Sequence, residues 1–166
     1  MDTTDTLWTT TIESPLGQLR AFASDRGLRA LLLPENDVDS YALDPEPVER
    51  RGYPAFARLA RQLDEYFTGT RRQFDLPLDL VGTEFQRLAW DALQAIPYGA
   101  TRSYSQQAAA IDRPKAVRAI GAANGRNPMS IVVPCHRVVG ADGSLTGYAG
   151  GVDVKRFLLD HEQGHV

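Results

Sequence analysis

The chain has 166 residues, 43% of them hydrophobic, with 14 glycines and 10 prolines, enough for one good core or for two small lobes and with no compositional sign of disorder. No window approaches eighteen apolar residues and the start, Met1-Asp2-Thr3-Thr4-Asp5, lacks the basic and apolar regions of a signal peptide, so a cytoplasmic protein with no membrane span is expected. The net charge of −3 hides an asymmetry: residues 1–82 hold 9 Arg and no Lys against 14 acids, whereas residues 83–166 hold 7 Arg and 2 Lys against 7 acids, so the overall acidity does not exclude a nucleic-acid partner for the second half.

In chain order, Leu7 to Ile12 and Gln18 to Ser24 read as strands around a Ser14-Pro15-Leu16-Gly17 turn, and Leu28 to Leu33 follows Asp25-Arg26-Gly27 as a third, giving a small antiparallel sheet. Residues 36 to 53 are acidic and contain proline, which predicts a surface loop with at most a short helix of undefined position. Phe56, Leu59, Leu63, Tyr66 and Phe67 recur at helical spacing and Gly69 stops that helix. Arg71 to Val81, with Pro77 in its middle, reads as a linker, so the lobes divide as 1–81 and 82–166.

The second lobe is predicted to be mostly helical. Thr83 and Gln86 form a possible capping box ahead of Phe85, Leu88, Ala89, Ala92, Leu93 and Ile96, which lie on one face before Pro97-Tyr98-Gly99 ends the helix. Ser103 and Gln106 repeat the capping pattern before Ala108 to Ile111. After Asp112-Arg113-Pro114 a third helix is predicted from Lys115 to about Asn124, with Pro114 in its first turn. Two short helices joined by a tight turn fit either a helix-turn-helix or a plain helical hairpin. A buried strand, Ile131 to Val133, then a Gly140 to Gly143 turn and a helix from Asp153 to Glu162 complete the chain, for an α+β fold: a small N-terminal sheet lobe with a helix and a mostly helical C-terminal lobe.

Cys135 is the only cysteine, which excludes an internal disulfide, and His136, His161 and His165 offer no metal-ligand spacing. A lone cytosolic cysteine is by default an inert, buried small hydrophobe. Here, however, an apolar stretch and Pro134 precede it and His136 and Arg137 follow it, so the thiol sits where a strand opens into a turn. A nearby cation or imidazole base favours the thiolate, the nucleophilic form. Side chains of successive residues point apart, so a Cys135 to His136 relay would run through a water. Either Glu162 or Asp160 can orient the imidazole.

Pro134-Cys135-His136-Arg137-Val138 resembles the active-site signature of the O6-alkylguanine-DNA alkyltransferases, also called methylated-DNA–protein-cysteine methyltransferases. Gly82-Thr83-Glu84-Phe85-Gln86, Ile96-Pro97-Tyr98-Gly99, Ser103-Tyr104, Arg118-Ala119-Ile120-Gly121, Asn127-Pro128 and Gly147-Tyr148-Ala149-Gly150-Gly151 fall in the family's order, from about Gly82 to Glu162. Ser14-Pro15-Leu16-Gly17 and Tyr66-Phe67-Thr68-Gly69 match more loosely.

The resemblance implies direct-reversal DNA repair: Cys135 takes a methyl or other alkyl group from O6 of guanine, with O4 of thymine as an alternative, and is consumed in one turnover. It implies a water-bridged relay of His136 and Glu162, a proton donor at guanine N3 in Tyr104, and a brace around the site in Asn127. Tyr148, Val138, Ala149, Gly150 and Lys155 match the substrate pocket; Ala149 stands where some members have serine, leaving only backbone donors there. The helix-turn-helix is expected in the minor groove of double-stranded DNA, with Arg118 filling the gap left by a flipped nucleotide. Ala116, Ala119, Gly121, Ala122 and Ala123 match small residues that let the backbone come close, and Ser103 and Lys115 are further DNA-binding positions. A monomer is expected, with cooperative binding along DNA left open, and no cofactor and no metal, since the cysteines and histidines that hold an N-terminal zinc in some members are missing. The competing readings are a lesion-recognition protein with a disabled site, a Cys-His hydrolase with a thioester intermediate, and a sequence-specific regulator.

Overall fold

The computed structural model describes residues 6–41, 43–145 and 147–166. The opening stretch, Met1 to Asp5, read above for targeting signals, lies outside them. The chain divides into two compact units, one ending at Val81 and one beginning at Gly82.

In the first unit, strands β1 (Trp8–Ser14), β2 (Gly17–Ser24) and β3 (Gly27–Leu32) pair antiparallel in sequence order, joined by tight turns. The sheet is not purely antiparallel. A two-residue strand β4 (Val48–Glu49) adds parallel to β1 through Val48 N–H to Leu7 O (2.8 Å) and Arg50 N–H to Thr9 O (2.9 Å). The segment expected to be only a surface loop thus supplies an edge strand, too short for any alternation to reveal it, and a 3-10 turn at Val38–Ser40. Its Val38, Tyr41 and Leu43 pack on Leu7, Phe22, Ala30 and Leu32. Helix α1 (Pro54–Phe67) lies against β1 and β2 and buries Phe56, Leu59, Leu63 and Tyr66 of the predicted stripe, with Phe67 only half-buried. All six residues of β3 are buried.

The stretch from Arg71 to Val81 is irregular, as a linker would be, but it is fastened along β3. Leu28 N–H donates to Pro77 O (2.9 Å) and Asp79 N–H to Leu28 O (2.8 Å), while Gln62 of α1 exchanges two hydrogen bonds with the backbone of Asp75. The approach is close enough at Gly27 that a Cβ there would stand 2.7 Å from Pro77 O. Asp79 takes the Ser24 hydroxyl and a 3.0 Å ion pair from the nearly buried Arg29.

In the second unit, helices α2 (Glu84–Gln94), α3 (Tyr104–Ala110) and α4 (Val117–Gly125) meet around Ala89, Ala108, Ile120 and Ala123. Alanine at three of these four positions allows close crossing. Both predicted capping boxes form, Thr83 with Gln86 and Ser103 with Gln106. Three expectations fail in detail. On α2, Leu88 is exposed and Trp90 is buried instead, because the indole N–H reaches Ala123 O of α4 at 2.9 Å. Pro114 is not in the first turn of α4: Pro114 and Lys115 form a separate turn closed by Ala116 N–H to Arg113 O, and the helix starts at Val117. The third is the buried strand at Ile131–Val133. That stretch is a tight turn with Ile131 at φ +73°, a conformation no strand can hold, and it reads as a strand only because Ile131 and Val133 are buried. The actual pairing is β5 (Arg102–Ser103) parallel to β6 (Val138–Val139), just after a 3-10 turn at Cys135–Arg137. Helix α5 (Val152–Gln163) closes the unit.

Burial opposes the charge of Asp79, but the hydrogen bonds from Ser24 and Arg29 and the charges of Arg29 and Arg26 outweigh it and hold the carboxyl below its ordinary 3.8. Its stabilisation is therefore fully present above that value and is lost as pH falls through the lowered one. Asp79→Ala is expected to cost about 2–3 kcal/mol in chemical denaturation at neutral pH, with the gap to wild type narrowing as pH falls below 3.8.

Candidate active site

Cys135 opens the 3-10 turn that follows Pro134, with its own N–H held by Val133 O at 2.8 Å. The residue is 8% exposed, and that remnant forms part of the wall of a narrow cavity shared with Tyr104, Asn124, Asn127, Ser130 and the Gly147 to Gly150 segment. Asn127, itself buried, fixes the turn from inside: Nδ2 donates to Val133 O (2.8 Å) and to Cys135 Sγ (3.2 Å), and Oδ1 accepts from Met129 N–H (3.0 Å). These bonds hold the backbone on both sides of Ile131, a β-branched residue at positive φ that is unfavourable in isolation.

Behind the thiol lies a buried polar network. His136 is fully buried, with Nε2 2.7 Å from Glu162 Oε2. Of the two carboxylates that the sequence left open, Glu162 is the partner and Asp160 is exposed. Arg137 donates Nε to Glu162 Oε1 (2.8 Å), Nη2 to Oε2 (3.0 Å) and Nη1 to Ile96 O (2.7 Å), and Gly99 N–H reaches Oε1 (3.2 Å). Burial raises the proton affinity of Glu162, but its bonds and charge interactions with His136 and Arg137 dominate and keep it ionised. Against an ionised carboxylate Nε2 must carry the proton, which leaves Nδ1 of a neutral ring as an acceptor. No group among the described residues donates to that Nδ1.

Burial also depresses the His136 pKa, outweighing the pull of Glu162, so the ring is neutral at physiological pH. The same burial pushes the Cys135 thiol above 9.0, against the Asn127 hydrogen bond, the Lys155 charge and the Tyr148 hydrogen bond. The resting sulfur is a thiol. The cation acting on it is Lys155, not the adjacent Arg137, which is committed to Glu162. Lys155 is 1% exposed, its Nζ 5.9 Å from the ring centres of both Tyr104 and Tyr148. Burial lowers its pKa and the neighbouring Cys135 opposes that.

The remaining predicted residues separate into two groups. Arg118, Ala119, Ala122 and Lys115 are exposed, and Ala116, Gly121 and Ser103 are half-buried. A Cβ added at Gly121 would meet nothing within 4 Å, so the helix surface there is open. Ser103 Oγ accepts the Gln106 N–H as the cap of α3 and keeps its own proton for donation. Ala123 is no part of that surface; it is buried in the helical core. Val138 is fully buried in the β5–β6 pair and is not among the residues of the cavity wall.

Sequence reading missed a reciprocal amide pair. Gln107 and Asn124 exchange hydrogen bonds at 2.9 and 2.8 Å, and Gln107 also donates to Ala89 O, so α2, α3, α4 and one wall of the cavity are tied together. The available signal was an amide on the inward face of each short helix. Among the described residues no three His, Cys, Asp or Glu side chains gather where they could hold a metal, and no helix is long and apolar enough to cross a membrane.

Residues 7–80 match the family described as 6-O-methylguanine DNA methyltransferase, ribonuclease-like domain, and residues 84–164 match its DNA binding domain. The constitutive methylated-DNA–protein-cysteine methyltransferase of Bacillus subtilis is 46% identical, covering 93% of this chain and 94% of its own. The enzyme of that name from Mycolicibacterium paratuberculosis is 48% identical over 93% and 92%. The crystal structure of Mycobacterium tuberculosis OGT in complex with DNA superposes with a TM-score of 0.87 at 44% identity, covering 96% of this chain and 94% of that one.

Asn127→Ala would strand Met129 N–H in the interior and leave Val133 O with the Cys135 N–H alone. It is expected to lower stability by about 1–3 kcal/mol, the cost of one buried unpaired group; an unchanged denaturation midpoint would show that the turn holds without its brace.

Proposed function

The chain belongs to the 6-O-methylguanine DNA methyltransferase family and repairs alkylated DNA by direct reversal, and from that premise we propose that Cys135 is the acceptor of the alkyl group. The group comes from O6 of guanine, with O4 of thymine as a second target. The observation that carries this reading is the position of the chain's only thiol at a cavity wall, in the turn that also holds a neutral imidazole with a bare acceptor nitrogen.

Sulfur attacks the alkyl carbon in line, the S–C bond forms and the C–O6 bond breaks. The thiol proton passes through a bridging water to Nδ1 of His136, whose Nε2 proton stays on the Glu162 side. Guanine leaves with a proton supplied at N3, the role given to Tyr104. The buried charge of Lys155 favours the sulfur anion as it forms, and Tyr148 with the backbone of Ala149 and Gly150 encloses the base. The product thioether has no easy leaving group, and the chain has no second thiol to resolve it, so each molecule reacts once.

The lesion is stacked inside the duplex and must be flipped out to reach the cavity, at a cost of a few kcal/mol that is smaller for a weakly paired base. Arg118 fills the gap. Ala116, Ala119 and Gly121 let α4 approach the floor of the minor groove, and Lys115 and Ser103 meet phosphates. Such binding is largely independent of sequence and weakens with salt. The protein acts as a monomer in the cytoplasm.

Intact mass after mixing with a slight excess of duplex carrying one O6-methylguanine tests the reading. The expected result is a gain of one methyl in wild type, stopping at one equivalent, and none in Cys135→Ser. Binding without any change of mass would make the protein a lesion sensor and remove the catalytic roles together.

A further inference from the structure

We infer that Arg137 is a positioning residue for alkyl transfer: by holding both oxygens of Glu162 it keeps His136 in the neutral form whose Nδ1 can accept the thiol proton. The inference rests on the proposed role of Cys135 and His136 and adds the group that sets the protonation state of the relay.

A carboxylate has about four acceptor sites, and each site of the buried Glu162 is taken. His136 Nε2 and Arg137 Nη2 meet Oε2; Arg137 Nε and Gly99 N–H meet Oε1. Two of the four come from one guanidinium in fork geometry, and the third arm of that guanidinium is anchored on Ile96 O. Arg137 is 7% exposed, so little solvent weakens the pair. The consequence is a matter of charge balance. A lone buried carboxylate beside an imidazole lowers its energy by drawing a second proton onto the ring, because an ion pair is better there than an isolated anion. That proton would sit on Nδ1 and turn the one free acceptor into a donor. With Arg137 in place the anion is already compensated, and a second cation on the ring is opposed rather than invited.

The other charges around the ring act in the same direction or are absent. Lys155 of α5 is a further cation that disfavours imidazolium, and the Cys135 thiol is uncharged at rest. The region after α2 that packs on the turn contributes the carbonyl of Ile96 and the amide of Gly99, while Glu84, Arg87 and Asp91 of α2 are exposed. Burial of the ring opposes its charge most, and Arg137 adds to that by offsetting Glu162, the single anion bonded to His136.

The test combines the ring state in wild type with the pH dependence of single-turnover methyl transfer in Arg137→Gln and Arg137→Lys. In nitrogen-15 spectra of the intact protein, His136 is expected to be neutral, with its proton on Nε2, at pH 7. Arg137→Gln should move the acid limb of the rate profile up by about one pH unit, leaving about a tenfold deficit on that limb that disappears at high pH. Arg137→Lys keeps the charge but loses the fork, and its limb should stay near that of wild type even if its melting temperature falls. A rate that drops equally at every pH with the limb unmoved would make Arg137 a structural residue only, and a cationic His136 ring in wild type would overturn the inference directly. If Arg137→Gln does not fold, Arg137→Met takes its place in the same ring-state and rate measurements. A wild type that takes up no methyl group would sink the proposed function instead, and the ring states of wild type and Arg137→Gln compared would still decide whether Arg137 holds His136 neutral.

Discussion

A carboxylate withdrawn from water must have its acceptor sites filled, and meeting that demand for Glu162 organises much of the second unit. The donors come from the 3-10 turn that carries Cys135 and from the turn at Gly99 that follows α2, while the carboxylate itself hangs from the end of α5. Each of these segments is short or irregular and has little regular hydrogen bonding of its own. Replacing such a network by apolar groups is often neutral for stability, whereas removing one partner costs about 3–5 kcal/mol. The network therefore matters less as a source of net stability than as a way of giving three loosely structured pieces one arrangement.

That arrangement produces a thiol that is unreactive at rest. Burial keeps the Cys135 proton on sulfur, and a protonated thiol is a poor nucleophile toward solutes. In the proposed mechanism reactivity is created in place, the neutral His136 ring accepting the proton and the buried Lys155 favouring the anion. For a protein whose acceptor can be used only once, a sulfur that stays inert until a base is seated limits waste. Asn127 contributes to the same end, since it holds the turn closed around Ile131 while its amide also touches the sulfur.

The features legible in the sequence were those with local causes. Alternation and turn residues located β1 to β3, side-chain spacing gave α1 and α5 nearly whole, and two Ser/Thr-x-x-Gln boxes marked the starts of α2 and α3. What escaped depended on partners distant in the chain. The two-residue strand β4 exists because Leu7 and Thr9 offer carbonyls to it. Trp90 is buried because a carbonyl 33 residues away accepts its N–H. Ile131–Val133 has the composition of a buried strand and the backbone of a turn, because Asn127 overrides propensity. At the site, the lone cysteine and its neighbours were visible through the signature they resemble. The separation of roles between Arg137, bound to Glu162, and Lys155, near the sulfur, was not, since both are simply cations in one dimension.

The claim that most of this account depends on is that Cys135 is a protonated thiol at neutral pH and is activated only within the assembled site. Thiolate absorbance in the ultraviolet, recorded as wild type minus Cys135→Ser across a pH titration of the free protein, measures it directly. No thiolate is expected at pH 7, with the signal rising only above the ordinary thiol value of 9.0. A thiolate already formed at neutral pH would contradict it, and would mean that the sulfur is activated permanently by its surroundings rather than by the His136 relay.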